Sequence, residues 1–288
     1  MFYYFLIILS VVMFGGSFAF TDSYQRLRGN SLKISLEFSA LTSFFGLIAL
    51  FLINGFKFEY THFTLIMAII SSLNGFAFTF CSFRALGKIN LSLYSLFSML
   101  GGMVLPSLQG IILYDEKITV AKLICFVLIT VALLLTIEKG EKNKGIIYYV
   151  GVFVFNGMSG VLSQIYTEAK FEKASAAGYS ILISVCSVVM ALIFLLFMGN
   201  KEKTPKNTFL STFVGAANGI TNKVANFLLV VALAHDIDSS VQYPMVTGGV
   251  MIVSTIICFL GKNKPSKKEV LSVFIAFIGL LVLFVIPI

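Results

Sequence analysis

The sequence predicts an all-α membrane protein, with ten transmembrane helices forming two inverted five-helix repeats around a central cavity. Three observations carry that prediction. The 288 residues are 58% hydrophobic and only 12% charged, with a mean hydropathy of +0.96. The apolar residues come in solid runs near the roughly 20 residues that a helix needs to cross a bilayer core, not in the alternation of a transmembrane β-barrel. A shift of 147 residues also lays the second part of the chain over the first.

The runs fall at about 2–20, 34–54, 63–83, 91–113, 118–137, 146–166, 176–199, 208–233, 239–260 and 268–287, joined by short connections. The first could pass for the apolar core of a signal peptide. No Lys or Arg precedes it and no small-residue cleavage pattern follows Phe20, so it reads as a retained helix. Fifteen of the 21 Lys and Arg lie in connections 1–2, 3–4, 5–6, 7–8 and 9–10, five lie on the opposite side, and Lys223 stands apart inside the eighth run. The positive-inside rule then makes the basic side cytoplasmic and puts both termini outside. Because the basic residues cluster in loops, the net charge of +8 does not point to nucleic acid; the expected partner is the lipid bilayer, and the expected setting a bacterial inner membrane. Cys81, Cys125, Cys186 and Cys258 all fall within predicted helices, without metal-ligand spacing, and read as small apolar packing residues.

With the 147-residue shift, Ala85-Leu86 meets Ala232-Leu233, Ser92 meets Ser239, Gly101-Gly102 meets Gly248-Gly249, and Lys117 meets Lys264; residues 85–119 contain 8 identities in 35 positions. The chain accordingly divides into a first repeat (1–138), a charged linker (139–145) and a second repeat (146–288). Five helices per repeat is an odd number, so the second copy enters from the opposite face. Inverted repeats of this kind characterise secondary transporters, whose sites lie near the midplane between the halves.

The Ala-Leu pair closing the third helix of each half, and the Gly- and Pro-bearing fourth helix before a short charged turn, resemble the drug/metabolite transporter superfamily, in its EamA-like ten-helix branch. Glu116 matches the Glu that follows the fourth helix in that family. Asn263 departs from it in the second repeat, and Pro106 lies three residues beyond the family's proline slot, which Met103 fills. The resemblance implies a central cavity lined by helices 1, 3, 4, 6, 8 and 9, with helices 5 and 10 peripheral.

Lys223 is the most informative single residue. A cation near the middle of a membrane helix costs at least ~2.5–3.5 kcal/mol and marks a functional site by default. Asn218, Asn222 and Asn226 repeat every four residues and share one stripe of the same helix, so Asn222, Lys223 and Asn226 can address one volume. Further polar candidates are Asn156 with Gln164 on helix 6, Gln242 and Tyr243 on helix 9, and Asn74, Tyr94 and Ser98 from the first half. The plainer reading of the amides and hydroxyls is hydrogen bonding between helices, worth ~0.6 kcal/mol each on average. That of Lys223 is an internal salt bridge, for which Glu37 is the deepest acid. Gly215 and Gly219 make a GxxxG, a helix-packing signature before it is a ligand contact. Gly101-Gly102 and Gly248-Gly249 are expected to let helices 4 and 9 pack closely and rock.

The absences narrow the function. His62 and His235 sit at helix ends in opposite halves, and no GxSxG, P-loop or HExxH is present. No catalytic or metal-binding residue and no cofactor is therefore expected. Organic-cation exporters of the resembled superfamily share a Glu on the first helix, where this chain has Met13 to Phe20 without an acid. The expectation is a monomeric or homodimeric transporter of a small polar, anion-bearing metabolite (an amino acid, carboxylate or phosphorylated compound), working by alternating access. In it Lys223 binds the anion, Asn222, Asn226, Asn218, Asn156 and Gln242 hydrogen-bond the rest, and Tyr94 and Tyr243 line or gate the path. The competing expectation is a non-transporting scaffold or lipid-handling subunit whose polar residues are sealed against one another.

Overall fold

The computed structural model describes residues 2–113, 119–136, 145–198, 208–233, 239–261 and 264–285, with the side chains of 2–3, 133, 136, 230–233, 239–245 and 283–285 outside that description. Among the described residues the secondary structure is helical: α1 (Phe2–Arg28), α2 (Leu32–Ile53), α3 (His62–Leu86), α4 (Leu91–Leu113), α5 (Val120–Thr136), α6 (Ile146–Glu168), α7 (Ala176–Met198), α8 (Phe209–Leu233), α9 (Ser239–Leu260) and α10 (Lys267–Val285). Helices α1 to α4, α6 and α7 are each long and apolar enough to cross a membrane. Large side chains such as Leu196, Phe197 and Phe209 are more than 80% exposed. An exterior this apolar suits lipid as the outer solvent.

Local chemistry sets the ends. Ser31 and Thr61 cap α2 and α3, their side chains accepting from Ile34 N and Thr64 N. Helix α1 runs eight residues past its predicted end. The segment Thr21–Arg28 is polar, but Asp22 pairs with Arg26 one turn on at 2.9 Å, which keeps it helical. It stops at Gly29, whose φ of +98° needs a residue without a Cβ and whose N–H bonds Gln25 O at 2.7 Å.

Eight helices form a closed circuit of neighbours in the order α3, α6, α4, α9, α1, α8, α2, α7 and back to α3, while α5 and α10 pack on each other outside it. Consecutive members of the circuit come alternately from the two halves of the sequence. The largest core cluster is centred on α4, where Leu96 and Leu100 meet Ile7 and Val11 of α1, Val250 and Met251 of α9, and the inner faces of α5 and α10.

The connections sort onto two faces. On one, a Cβ at Gly87 would lie 3.0 Å from Asn30 Nδ2, Lys88 Nζ sits over the Tyr148 ring at 5.6 Å, and Asn90 Nδ2 donates to Glu269 at 2.7 Å. These contacts bring the 1–2 and 3–4 connections together with the first turns of α6 and α10. On the other face, connections 2–3 and 6–7 interlock. Ser175 N donates to Glu59 Oε2 at 2.6 Å, Ala174 N to Thr64 Oγ1 at 3.0 Å, and Tyr166 stacks on Tyr179 at 3.9 Å.

The glycine pairs serve contacts other than the expected one. Helices α4 and α9 do touch, but a Cβ at Gly101 would overlap the Phe153 backbone and one at Gly102 would approach Asn156, both on α6. Gly248 faces Phe277 of α10 and Gly249 faces Val11 of α1. The correction follows from helix rotation: the small residues sit at the α4–α6, α9–α10 and α9–α1 crossings.

Candidate functional site

Helix α8 presents two adjacent stripes. Gly215, Gly219 and Lys223 face α2: a Cβ at Gly215 would strike Leu41, and one at Gly219 would overlap the Thr42 carbonyl oxygen. The GxxxG is thus a close helix crossing. One turn further on, the Lys223 stem takes the place a side chain at Gly46 would need, a Cβ there lying 2.5 Å from Lys223 Cγ. Lys223 is half-buried, about 15 Å of rise from the far end of α8 at 1.5 Å per residue. Among the described residues it has neither ion pair nor hydrogen bond, and the acids more than a turn inside a described helix are engaged elsewhere: Asp22 with Arg26, and Glu37 with Arg28.

The asparagine stripe faces α1, and its burial changes along its length. Asn218 is buried, and its Nδ2 donates to Ser17 O at 2.6 Å and Thr21 Oγ1 at 3.0 Å. Asn222 is half-buried and reaches Ser17 Oγ at 3.3 Å. Asn226 is exposed and bonds only within its own turn, to Asn222 O at 2.9 Å. The stripe therefore opens toward the face of connections 2–3 and 6–7, with Lys223 beside the transition.

The other candidates are deployed differently. Asn156 Nδ2 donates to Ser98 O at 2.6 Å between α6 and α4, and Asn74 Nδ2 to Phe155 O and Ser159 Oγ, both at 2.9 Å, between α3 and α6. These amides, like Asn218, tie helices together. Tyr94 and Ser98 do not line an opening in this structure. Tyr94 is 1% exposed, its hydroxyl donating to Ser82 Oγ at 3.0 Å and its ring set edge-on to Phe18, and Ser98 is fully buried. The side chains of Gln242 and Tyr243 lie outside the described residues. No group of His, Cys, Asp and Glu among the described residues could hold a metal ion.

Lys223, Asn222 and Asn226 lie within about one turn of α8: one ammonium and two carboxamides on adjacent stripes, beside the point where the asparagine stripe becomes exposed. This set can hold an anionic group by charge and its neighbouring oxygens or nitrogens by hydrogen bonds. Sequence reasoning missed Gly46, the notch that seats the Lys223 stem. Its signal was a lone small residue in the bulky run Phe44 to Ile48.

No protein-family model and no curated protein matches the chain. A solved structure described only as "Crystal structure of protein" is 13% identical, with a TM-score of 0.60 over 96% of this chain and 95% of that one. At that identity the likeness is one of fold, and it extends over nearly the whole of both chains.

Proposed function

We propose that the chain is a secondary transporter of the EamA-like type, moving a small polar, anion-bearing metabolite across a bacterial inner membrane by alternating access. The observation that carries the reading is Lys223, a half-buried ammonium without a partner among the described residues, at the opening of a polar stripe. The helix neighbours support the repeat behind it. Replacing each helix number by its counterpart five places on turns α1–α8 into α6–α3, α4–α6 into α9–α1 and α2–α8 into α7–α3, while α2–α7, α4–α9 and α5–α10 map onto themselves. Such an exchange is what two five-helix repeats about a twofold axis produce. The sorting of connections onto two faces agrees with helices that alternate in direction, so all ten are proposed as spans. Phe76, the repeat partner of Lys223, packs on Phe194 of α7 at 5.9 Å, as Lys223 packs on α2. The site is then charged on one side of the axis only.

Lys223→Ala, reconstituted in liposomes and screened against amino acids, carboxylates and phosphorylated metabolites, is expected to lose flux of the anionic substrate. Unchanged flux of every substrate found would sink the binding role. A sealed scaffold is the second reading, favoured by the interhelical bonds of Asn218, Asn156 and Asn74. Cysteines placed along α8 after replacing the four buried native ones, and probed with a water-soluble thiol reagent, separate the two. Labelling at 222 and 226 supports transport, and labelling confined to the helix ends supports the scaffold.

A further inference from the structure

The α4–α6 crossing is packed through small residues: Gly101 against Phe153, Gly102 against Asn156, Leu105 against Gly157 and Pro106 against Gly160. One turn further along the same two stripes the side chains become Gln109 on α4 and Gln164 on α6. Pro106 and Gly160 are level, so Gln109 lies about 4.5 Å beyond them and Gln164 about 6 Å beyond, at 1.5 Å per residue. The two side chains therefore project into one seam. Gln109 is 6% exposed, and neither its Oε1 nor its Nε2 has a hydrogen-bond partner; Gln164 Oε1 is also buried without one.

Buried polar atoms are almost always paired, and an orphan amide in an apolar interior is costly to keep. These orphans are two acceptor oxygens and one amide nitrogen that carries two N–H donors. A primary carboxamide meets all three atoms: its own two N–H groups donate to the oxygens, and its carbonyl oxygen accepts from the nitrogen. A carboxylate in the same place could accept from Gln109 Nε2 but would bring no proton for either glutamine oxygen.

We infer that Gln109 and Gln164 form a subsite for the carboxamide of a small solute. The subsite deepens the transport reading and rests on it for access from the membrane faces, but it is tested by binding and not by flux. The full chain, purified in detergent, is titrated with two matched pairs: L-glutamine against L-glutamate, and nicotinamide against nicotinate. In at least one pair the carboxamide is expected to bind about tenfold more tightly than its acid, a small fraction of what a dedicated hydrogen-bonding site can discriminate. Gln109→Met and Gln164→Met keep the side-chain length and remove the amide, and each should abolish the preference. Gln109→Met should also raise the ligand-free melting temperature by about 2–4 °C, because it removes an unpaired amide that the fold does not use. A structural glutamine would move the other way.

Binding by neither carboxamide, as when the seam holds water only, overturns the proposal. So does a preference that survives either methionine variant, or a Gln109→Met protein less stable than the wild type. Lys223→Ala distinguishes this failure from that of the transport reading: retained flux with an intact carboxamide preference removes only the anion site.

Discussion

The α2–α8 crossing allows a sharp test at Gly219. A methyl group there would overlap the Thr42 carbonyl oxygen and lie 2.8 Å from the Thr42 carbonyl carbon and Cα, all backbone atoms that no rotamer change can move. The helices would have to separate by about 1 Å, and overpacking of this kind costs ~1–3 kcal/mol. Alanine returns ~0.8–1.0 kcal/mol in helix propensity. The balance is a destabilisation of roughly 0–2 kcal/mol, or a fall of up to about 6 °C in melting temperature for a chain of this size. Gly75→Ala is the control: a Cβ there meets nothing within 4 Å, so only the propensity gain remains and the melting temperature should rise by about 1–3 °C. The chain has no Trp but four buried free cysteines, so a thiol-reactive dye that fluoresces as they become exposed reports unfolding directly. A Gly219→Ala protein as stable as Gly75→Ala would refute the close crossing and, with it, the placement of Lys223 against Gly46.

Two further outcomes are expected. Asn218→Ala should cost about 1–2 kcal/mol, because its buried amide makes the α1–α8 hydrogen bonds that average ~0.6 kcal/mol apiece, whereas Asn226→Ala should leave melting unchanged and weaken solute binding. The reverse order of stability effects would move the boundary between packing and binding residues. At the 2–3 connection, hydrogen bonds from Ser175 hold the Glu59 carboxyl below the usual carboxylate range. A depressed value contributes stability that is present above the unfolded-state pKa of about 4.3 and is lost as pH falls through the folded value. Melting curves between pH 6 and 3 should therefore lose an acid-sensitive component in Glu59→Gln; superimposable acid profiles would remove that contact from the account.

Hydropathy located every described helix because long apolar runs leave the backbone few ways to pair its own polar groups. It stops short at the end of α1, where the polar residues after Phe20 suggest a loop. Asp22, Gln25 and Arg28 are buried there by the neighbouring turns, and the stop signal was Gly29, not the loss of apolar residues. For the site, periodicity placed Asn218, Asn222 and Asn226 on one stripe but could not give its rotation toward α1 or the depth at which the stripe opens. Those depend on which helix lies beside α8, a tertiary fact set by Gly215, Gly219 and Gly46. Tyr94 carried no sequence mark distinguishing a lining ring from a buried one. Gln109 was invisible for a related reason: a lone amide in an apolar run gains meaning only when its partners are found to be missing.

The alternating circuit of helices bears on how the chain is made. Each of its eight members has both circuit neighbours in the other half of the sequence, and even the outer pair α5 and α10 joins one helix from each. When the ribosome has released only the first five helices, Ser17 and Thr21 of α1 still lack Asn218, and the glycines at 101 and 102 face no α6. The first half must therefore wait in the membrane, polar stripes unpaired, until its counterparts arrive and slide between its helices. Assembly is dominated by contacts distant in sequence, which slows folding and prolongs exposure of unfinished surfaces. A chain cut at the 139–145 linker would hence be two interdigitating pieces that complete each other, not two domains that fold apart.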